Sequence, residues 1–378
     1  MVACQPARSA PSQCLKAKVS PKINSKTALR VNGNRLHSEV TSGFLVAITR
    51  HFFTCLGHRL KEKHEMLRFR ADVRTIGVLC TFALLSIGGW LLNPPLWLAV
   101  PWVVVTCVVS WLCAVAAHNT VHSPVFTKRW MNRLFQVWVS LSYGFPISEY
   151  VPGHNLSHHR YTQRREDVMR TSKVKFKSNL LNFLLFFFYV GPGVTAGNYR
   201  YSKTMKQRLP QWNRQLTTEI IMVWGVKVAL LLLDWRKALL FVIIPHFFAV
   251  WGITTVNYLQ HDGCDEDHPV NHSRNFVGRL FNWFTLNNGY HGMHHIQPGL
   301  HWSLLPRAHA ERVEPTIDPR LDEPSLALYM FRAFIWPGKR LRFDGTPVVI
   351  EGEGPDHDWV AATAEVAATE LGAVGSGN

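Results

Sequence analysis

Long apolar runs, not an alternating or 3.6-residue pattern, dominate the chain. Thr75–Leu92 carries no charge, and neither does Pro95–Ala117. Only Asn93, Pro94 and Pro95 separate the two, which predicts a tight pair of membrane-crossing helices. Thr218–Leu233 and Ala238–Tyr258 repeat the arrangement around Asp234-Trp235-Arg236-Lys237. The first of these is short and reaches the ~20 residues of a full crossing only if it extends to Thr217 and Asp234. Two further stretches are weaker. Phe44–Gly57 is broken by Arg50 and His51. Leu180–Val194 contains Asn182 and runs into Gly191-Pro192-Gly193. Both suit helices that lie in the interface or dip part-way. The expectation is an all-α integral membrane protein with four transmembrane helices in two hairpins and a helical cap on one side.

Charge orients this arrangement. Arg59, Lys61, Lys63, Arg68, Arg70 and Arg74 precede or open the first run, and segment 118–216 holds fifteen Lys/Arg against three acids. By the positive-inside rule both lie on the cytosolic side, which puts the links at 93–95 and 234–237 on the far side and returns the chain to the cytosol after Tyr258. The formal charge of +16 with 47% apolar residues therefore reads as membrane orientation. Because the charge flanks the spans, nucleic acid is not an expected partner. Segments 57–74 and 160–177 could also grip anionic lipid headgroups, a carrier phosphate or an acidic protein.

Outside this body, residues 1–40 form a basic start with no acid before Glu39, which suits a removable transit segment or a disordered tail. Residues 41–342 form the membrane domain. Residues 343–378 carry seven acids and no Lys or Arg, an acidic tail expected to be disordered apart from a short helix near Val360–Glu370. The seven cysteines form no Cys-x-x-Cys pair, and Cys80, Cys107 and Cys113 sit inside apolar runs, so neither a disulfide framework nor a zinc finger is indicated.

The candidate chemistry lies in the histidines. Nine of nineteen cluster: His118 and His122; His154, His158 and His159; His261; and His291, His294 and His295. Spacings of three and four place side chains on one helix face. His118 and His122 would project from the cytosolic end of the second span, and His154 and His158 together from a later helix, with His159 one step round. His261 follows the fourth span. All nine can meet below one membrane surface, provided that Leu180–Val194 does not cross. One zinc ion takes about four ligands, so nine imidazoles suit two metal ions. Soluble di-iron bundles use Glu-x-x-His pairs, and none occurs in these clusters. A metal transporter would place ligands within the spans, where only His246 lies.

These clusters, reading H-x3-H, H-x3-H-H and H-x2-H-H, resemble the three histidine boxes of the membrane fatty acid desaturase and hydroxylase superfamily. The likeness covers about residues 75–310. Asn257 and His261 resemble the Asn-x3-His element that supplies a ninth ligand in acyl-CoA desaturases. The resemblance implies two iron ions, O2 as co-substrate, a long-chain lipid or acyl substrate in an apolar tunnel, and an external electron donor: cytochrome b5, rubredoxin or ferredoxin. It also implies an oxidoreductase that inserts a double bond into an acyl chain. The alternative is a di-iron hydroxylase or monooxygenase of an alkane, sterol, sphingolipid or carotenoid, since Asn257-Tyr-Leu-Gln-His261 also resembles an element of bacterial alkane hydroxylases. The third box begins with His291 where front-end desaturases have Gln. A His-Pro-Gly-Gly haem motif is lacking, so the donor is expected to be separate. Histidine boxes on the cytosolic or stromal side suit the endoplasmic reticulum or a plastid.

Groups that could orient the imidazoles are Asn257 and Asp262, with Asn119, Glu149, Asn155, Asp167, Asp265, Asn287 and Asn288 also beside the clusters.

Overall fold

A computed structural model describes residues 66–349 and 356–363. The basic start and Phe44–Gly57 lie outside the described residues. Helix α1 (Asp72–Leu92) and α2 (Leu96–His122) form the first hairpin. Its link is a left-handed Asn93 (φ 48°) followed by Pro94 and Pro95; Pro95 lacks an N–H and opens the next helix. Helix α3 (Arg129–Tyr143) lies beside α2 and ends on Gly144 at φ 88°. Helix α4 (Ile147–Val151) widens into a π-turn over Pro152–His158 and closes with one α-turn, His159–Tyr161. After these come α5 (Asn179–Met205), α6 (Pro210–Ala238) and α7 (Ile244–His261). Short helices α8 (Arg279–Phe284), α9 (His291–Ile296), α10 (Leu305–Arg312) and α11 (Leu326–Met330) build the cap, with α12 (Trp359–Thr363) in the tail.

Among the described residues, four helical stretches are long and apolar enough to cross a membrane: Asp72–Leu92, Leu96–His122, Asn179–Met205 and Pro210–His261. The number matches the expectation, but the partition differs. The third and fourth expected spans share the 52-residue stretch Pro210–His261. They are divided at Asp234, whose backbone leaves the helix (φ −159°, ψ 96°) and whose Oδ1 accepts from the N–H groups of Arg236 and Lys237. Asp234 thus caps a new helix start. Lys237 Nζ donates to the Trp90 carbonyl at 3.0 Å, so both hairpin turns sit at the same end of the molecule.

The additional candidate, α5, is held at the other end. Tyr258, one turn before His261, donates to Asn179 Oδ1 at 2.8 Å. Arg340 ties Asp262 to the Thr171 carbonyl, and nearby Lys173 reaches Gly193 in the middle of α5. Asn198 donates to the Glu149 carbonyl at 2.9 Å. Both ends of α5 therefore stay at the histidine-bearing end, while the stretch between them dips part-way at Phe187 and Phe188, which meet Phe247 of α7.

The closest helix packing positions the site. Residues Cys113 to Ala117 of α2 are all fully buried, and small side chains there let α7 approach. Trp111 lies so close to Gly252 of α7 that a Cβ would stand 2.6 Å from its ring. This contact sets the C-terminal ends of α2 and α7, with His118, His122 and His261, side by side.

Within the acidic tail, the described residues 356–363 are packed against the membrane domain. Trp359 is buried against Tyr201 and Gly197 of α5, Val360 is buried too, and α12 also packs on the π-turn Pro152–His158. Asp356 pairs with Arg170 and with Lys173 at 2.8 Å. A basic segment and an acidic one neutralise each other, and a buried indole supplies apolar area. The helix Trp359–Thr363 overlaps the start of the one expected near Val360–Glu370.

Candidate metal centre

All nine histidines converge, in two groups. His118, His122, His154, His159 and His294 form one; His158, His261, His291 and His295 form the other. Within each group the candidate ligand nitrogens lie within 4.8 Å of one another. The partition of the second box follows from the π-turn. A wider turn brings i and i+5 together, so His154 Nε2 faces His159 Nε2 at 3.1 Å and His158 points to the other group. The α-helical reading paired His154 with His158, and the extra residue per turn changes that. The third box keeps its α-helical faces: His291 and His295, at i and i+4, share a group and His294 joins the other.

Local structure fixes these rings. His158 Nδ1 lies 2.9 Å from Asp167 Oδ2, and both side chains are fully buried. Burial pushes the Asp167 carboxyl up, but His158 and the N–H groups of Gln163 and Met169 outweigh it and hold the group below its ordinary value. An ionised carboxylate only accepts, so Nδ1 carries the proton and Nε2 turns inward. His261 Nδ1 donates to the His272 carbonyl at 3.0 Å, with the same result. Asn275 accepts from Gly292 N at 2.7 Å and donates to Asp322, which anchors α9 on a two-residue parallel ladder (β1, Asn275–Phe276; β2, Asp322–Glu323). Asn119 Nδ2 donates to the Leu286 carbonyl, and its Oδ1 lies 3.4 Å from His118 Nδ1.

Asn257 and Asp262, expected to orient imidazoles, bond elsewhere. Asn257 donates to the Met169 carbonyl at 3.2 Å. Asp262 stands past the end of α7 in extended backbone and takes Arg340 Nε on both oxygens at 3.0 Å. Asp167, nine residues past His158 and indistinguishable in sequence from a solvated loop acid, takes the orienting place. Asp72 also went unmarked. It is buried, accepts from Trp302 Nε1 at 3.1 Å, and lies 3.2 Å from His301 Nε2, joining the start of α1 to the loop behind the third box.

The two groups suit metal ions on their donor chemistry. Burial first, and neighbouring imidazoles second, hold His154, His159, His291, His294 and His295 well below the ordinary histidine value, so the rings are neutral with lone pairs available. Nε2 of His261 lies 2.8 Å from that of His291 and 3.2 Å from that of His295, and the latter two are 3.1 Å apart. Two nitrogens each about 2.1 Å from one ion, at right angles, stand about 3.0 Å apart. The inward nitrogens of His122, His158 and His294 are buried without a hydrogen-bond partner among the described residues, as a ligand nitrogen would be. Among the described residues, no carboxylate belongs to either group.

A cavity of about 570 Å3 reaches His154 between α4, α5, α6 and α7. Its walls are mostly apolar, with Phe145, Phe187, Phe188, Trp224 and Val250 among them.

The family description "Fatty acid desaturase" matches residues 94–323, more than half of the sequence and all nine histidines. The chain belongs to the fatty acid desaturase family. The desaturase-family chain is also 26% identical over 216 residues to the sphingolipid delta(4)-desaturase of Komagataella phaffii. That match covers 51% of this chain and 56% of the relative, so the chain spans little more than half the length of that protein.

Proposed function

We propose that this protein is an O2-dependent di-iron desaturase that inserts a double bond into a long lipid chain, with His118, His122, His154, His159 and His294 holding one iron and His158, His261, His291 and His295 the other. The observation that carries this reading is an apolar cavity ending at His154, a member of one of two all-imidazole groups. Iron supplies the O2-dependent removal of hydrogen from an unactivated carbon. The chain's own residues hold the hydrocarbon in register, exclude water by apolar walls and keep the nine rings oriented. Electrons come from a separate donor: cytochrome b5, rubredoxin or ferredoxin. The histidine end faces the cytosol or stroma, in keeping with its Lys/Arg excess. The relative's sphingolipid substrate and the family's acyl chains are both long chains of the kind the cavity admits.

The test is expression in a host of defined lipid composition, followed by lipid mass spectrometry and iron analysis of purified protein. A desaturase yields lipids lighter by two hydrogens, a His158→Ala variant yields none, and the purified chain carries iron. A gain of one oxygen instead would make it a hydroxylase. An iron-free protein, or unchanged lipids, overturns the proposal.

A further inference from the structure

The cavity is not uniformly apolar. Glu149 on α4 and Asn198 on α5 face it from adjoining walls, with Thr195 one turn before Asn198. Asn198 Nδ2 donates to the Glu149 carbonyl, which decides the amide's orientation and leaves Oδ1 as the free end. That oxygen is buried and accepts no hydrogen bond among the described residues, in a side chain only 5% exposed. The Glu149 carboxyl likewise has no hydrogen-bond or ion-pair partner among the described residues, and burial pushes it above the ordinary carboxylate range. The Asn198 oxygen, buried without a donor among the described residues, destabilises the empty protein, and a ligand donor offsets that cost; the Glu149 carboxyl, only partly buried, offers a second acceptor beside it. A bare hydrocarbon cannot supply one. The place is close to the chemistry: Glu149 lies five residues before His154, and both line the same cavity.

We propose that Glu149 and Asn198 form a hydrogen-bond-accepting subsite for a lipid that carries a hydroxyl or amide N–H near the reacting carbon, in preference to a plain alkyl chain. This deepens the desaturase reading and rests on its assignment of the cavity. The asymmetry between a matched and an unmatched polar group makes the selection strong. A site built to receive a donor rejects the analogue that lacks it, because the Asn198 oxygen is then left buried and unpaired.

The test is equilibrium binding to the full chain in lipid nanodiscs, with a ceramide-type N-acyl amino diol and a wax ester of equal carbon number as probes. The wild type should bind the amino diol at least about tenfold more tightly. Glu149→Leu and, separately, Asn198→Leu should shrink that ratio towards one while wax-ester affinity stays within about twofold. Glu149→Gln, which keeps an acceptor oxygen, should retain part of the preference. Equal affinity of the wild type for both probes, or an undiminished ratio in both leucine variants, overturns the proposal. Binding is read without turnover, so an iron-free protein would sink the desaturase reading while this ratio still decides the subsite. If one leucine variant fails to fold, the wild-type ratio and the other variant still decide.

Discussion

His158 and Asp167 form a fully buried hydrogen-bonded pair, 2.9 Å apart, that turns the other ring nitrogen of His158 towards His261, His291 and His295. Asp167→Asn keeps the shape but can offer its NH2 where a carboxylate accepted, which favours the wrong tautomer of His158. Loss of such an orienting partner costs metal affinity or activity about 10–100-fold. Iron retention against a graded chelator should show that loss, with the far-ultraviolet spectrum unchanged. A variant that retains iron like the wild type would remove the orienting role.

The groups of five and four imidazoles should respond unequally to the loss of one. His294→Ala leaves four, enough for one ion, whereas His295→Ala leaves three. Purified His295→Ala should fall towards about one iron per chain, and His294→Ala should stay nearer two. Iron measured by inductively coupled plasma mass spectrometry checks the order, and equal losses would speak against the partition.

Gly144→Ala should be among the more damaging small substitutions. Gly144 sits at φ 88°, and an added Cβ would stand 2.3 Å from the His246 ring. Its carbonyl also accepts from Lys227 Nζ at 2.6 Å. Left-handed strain and overpacking together cost about 1–3 kcal/mol. A lower thermal midpoint in detergent, with residual iron intact below it, is the expected result.

Docking of the tail should depend on pH in one direction. Burial raises the Asp356 carboxyl, but Lys173 and Arg170 outweigh this and hold it below the ordinary value. A carboxyl depressed in the folded state stabilises above its unfolded value, about 3.9, and that contribution is lost as pH falls through the depressed value. Hydrogen exchange across 356–363 should therefore stay slow from neutral pH down to about 4 and quicken below it. Asp356→Asn should show at pH 7 part of what the wild type shows in acid. Rates indifferent to both changes would sink the ion pair's role.

Much of the site was legible in sequence because its carriers are local. Spacings of three and four on regular helices, as in His118 and His122 or His291 and His295, survive into the structure unchanged. The fault fell at Pro152–His158, where a π-turn trades one partner for another. One extra residue per turn leaves no mark in composition, so His154 with His159 could not be foreseen. Asp167 was one acid among several because its burial depends on a loop folding back. Asp262 was misjudged for the same reason, since its partner Arg340 lies 78 residues away. For α5 the apolar run foretold the path but not the length: Leu180–Val194 was expected to stay at the interface or dip part-way, and it lies within a 27-residue helix that Tyr258, Lys173 and Glu149 tie to the histidine-bearing end. The docked tail depended on Trp359 finding Tyr201, a long-range match that low hydropathy conceals.

Both imidazole groups take members from the earliest and latest boxes, or from the second and the last: His118 with His294, and His158 with His295. Neither can be completed on the ribosome until its last member, His294 or His295, has emerged and the intervening chain has closed a loop of well over a hundred residues, a slow event in polymer terms. On the di-iron proposal each ion would act as a cross-link between distant stretches of chain, and metal capture would be the finishing stitch of maturation. An iron-starved cell should accumulate an inserted but loosened precursor, open to quality-control proteases.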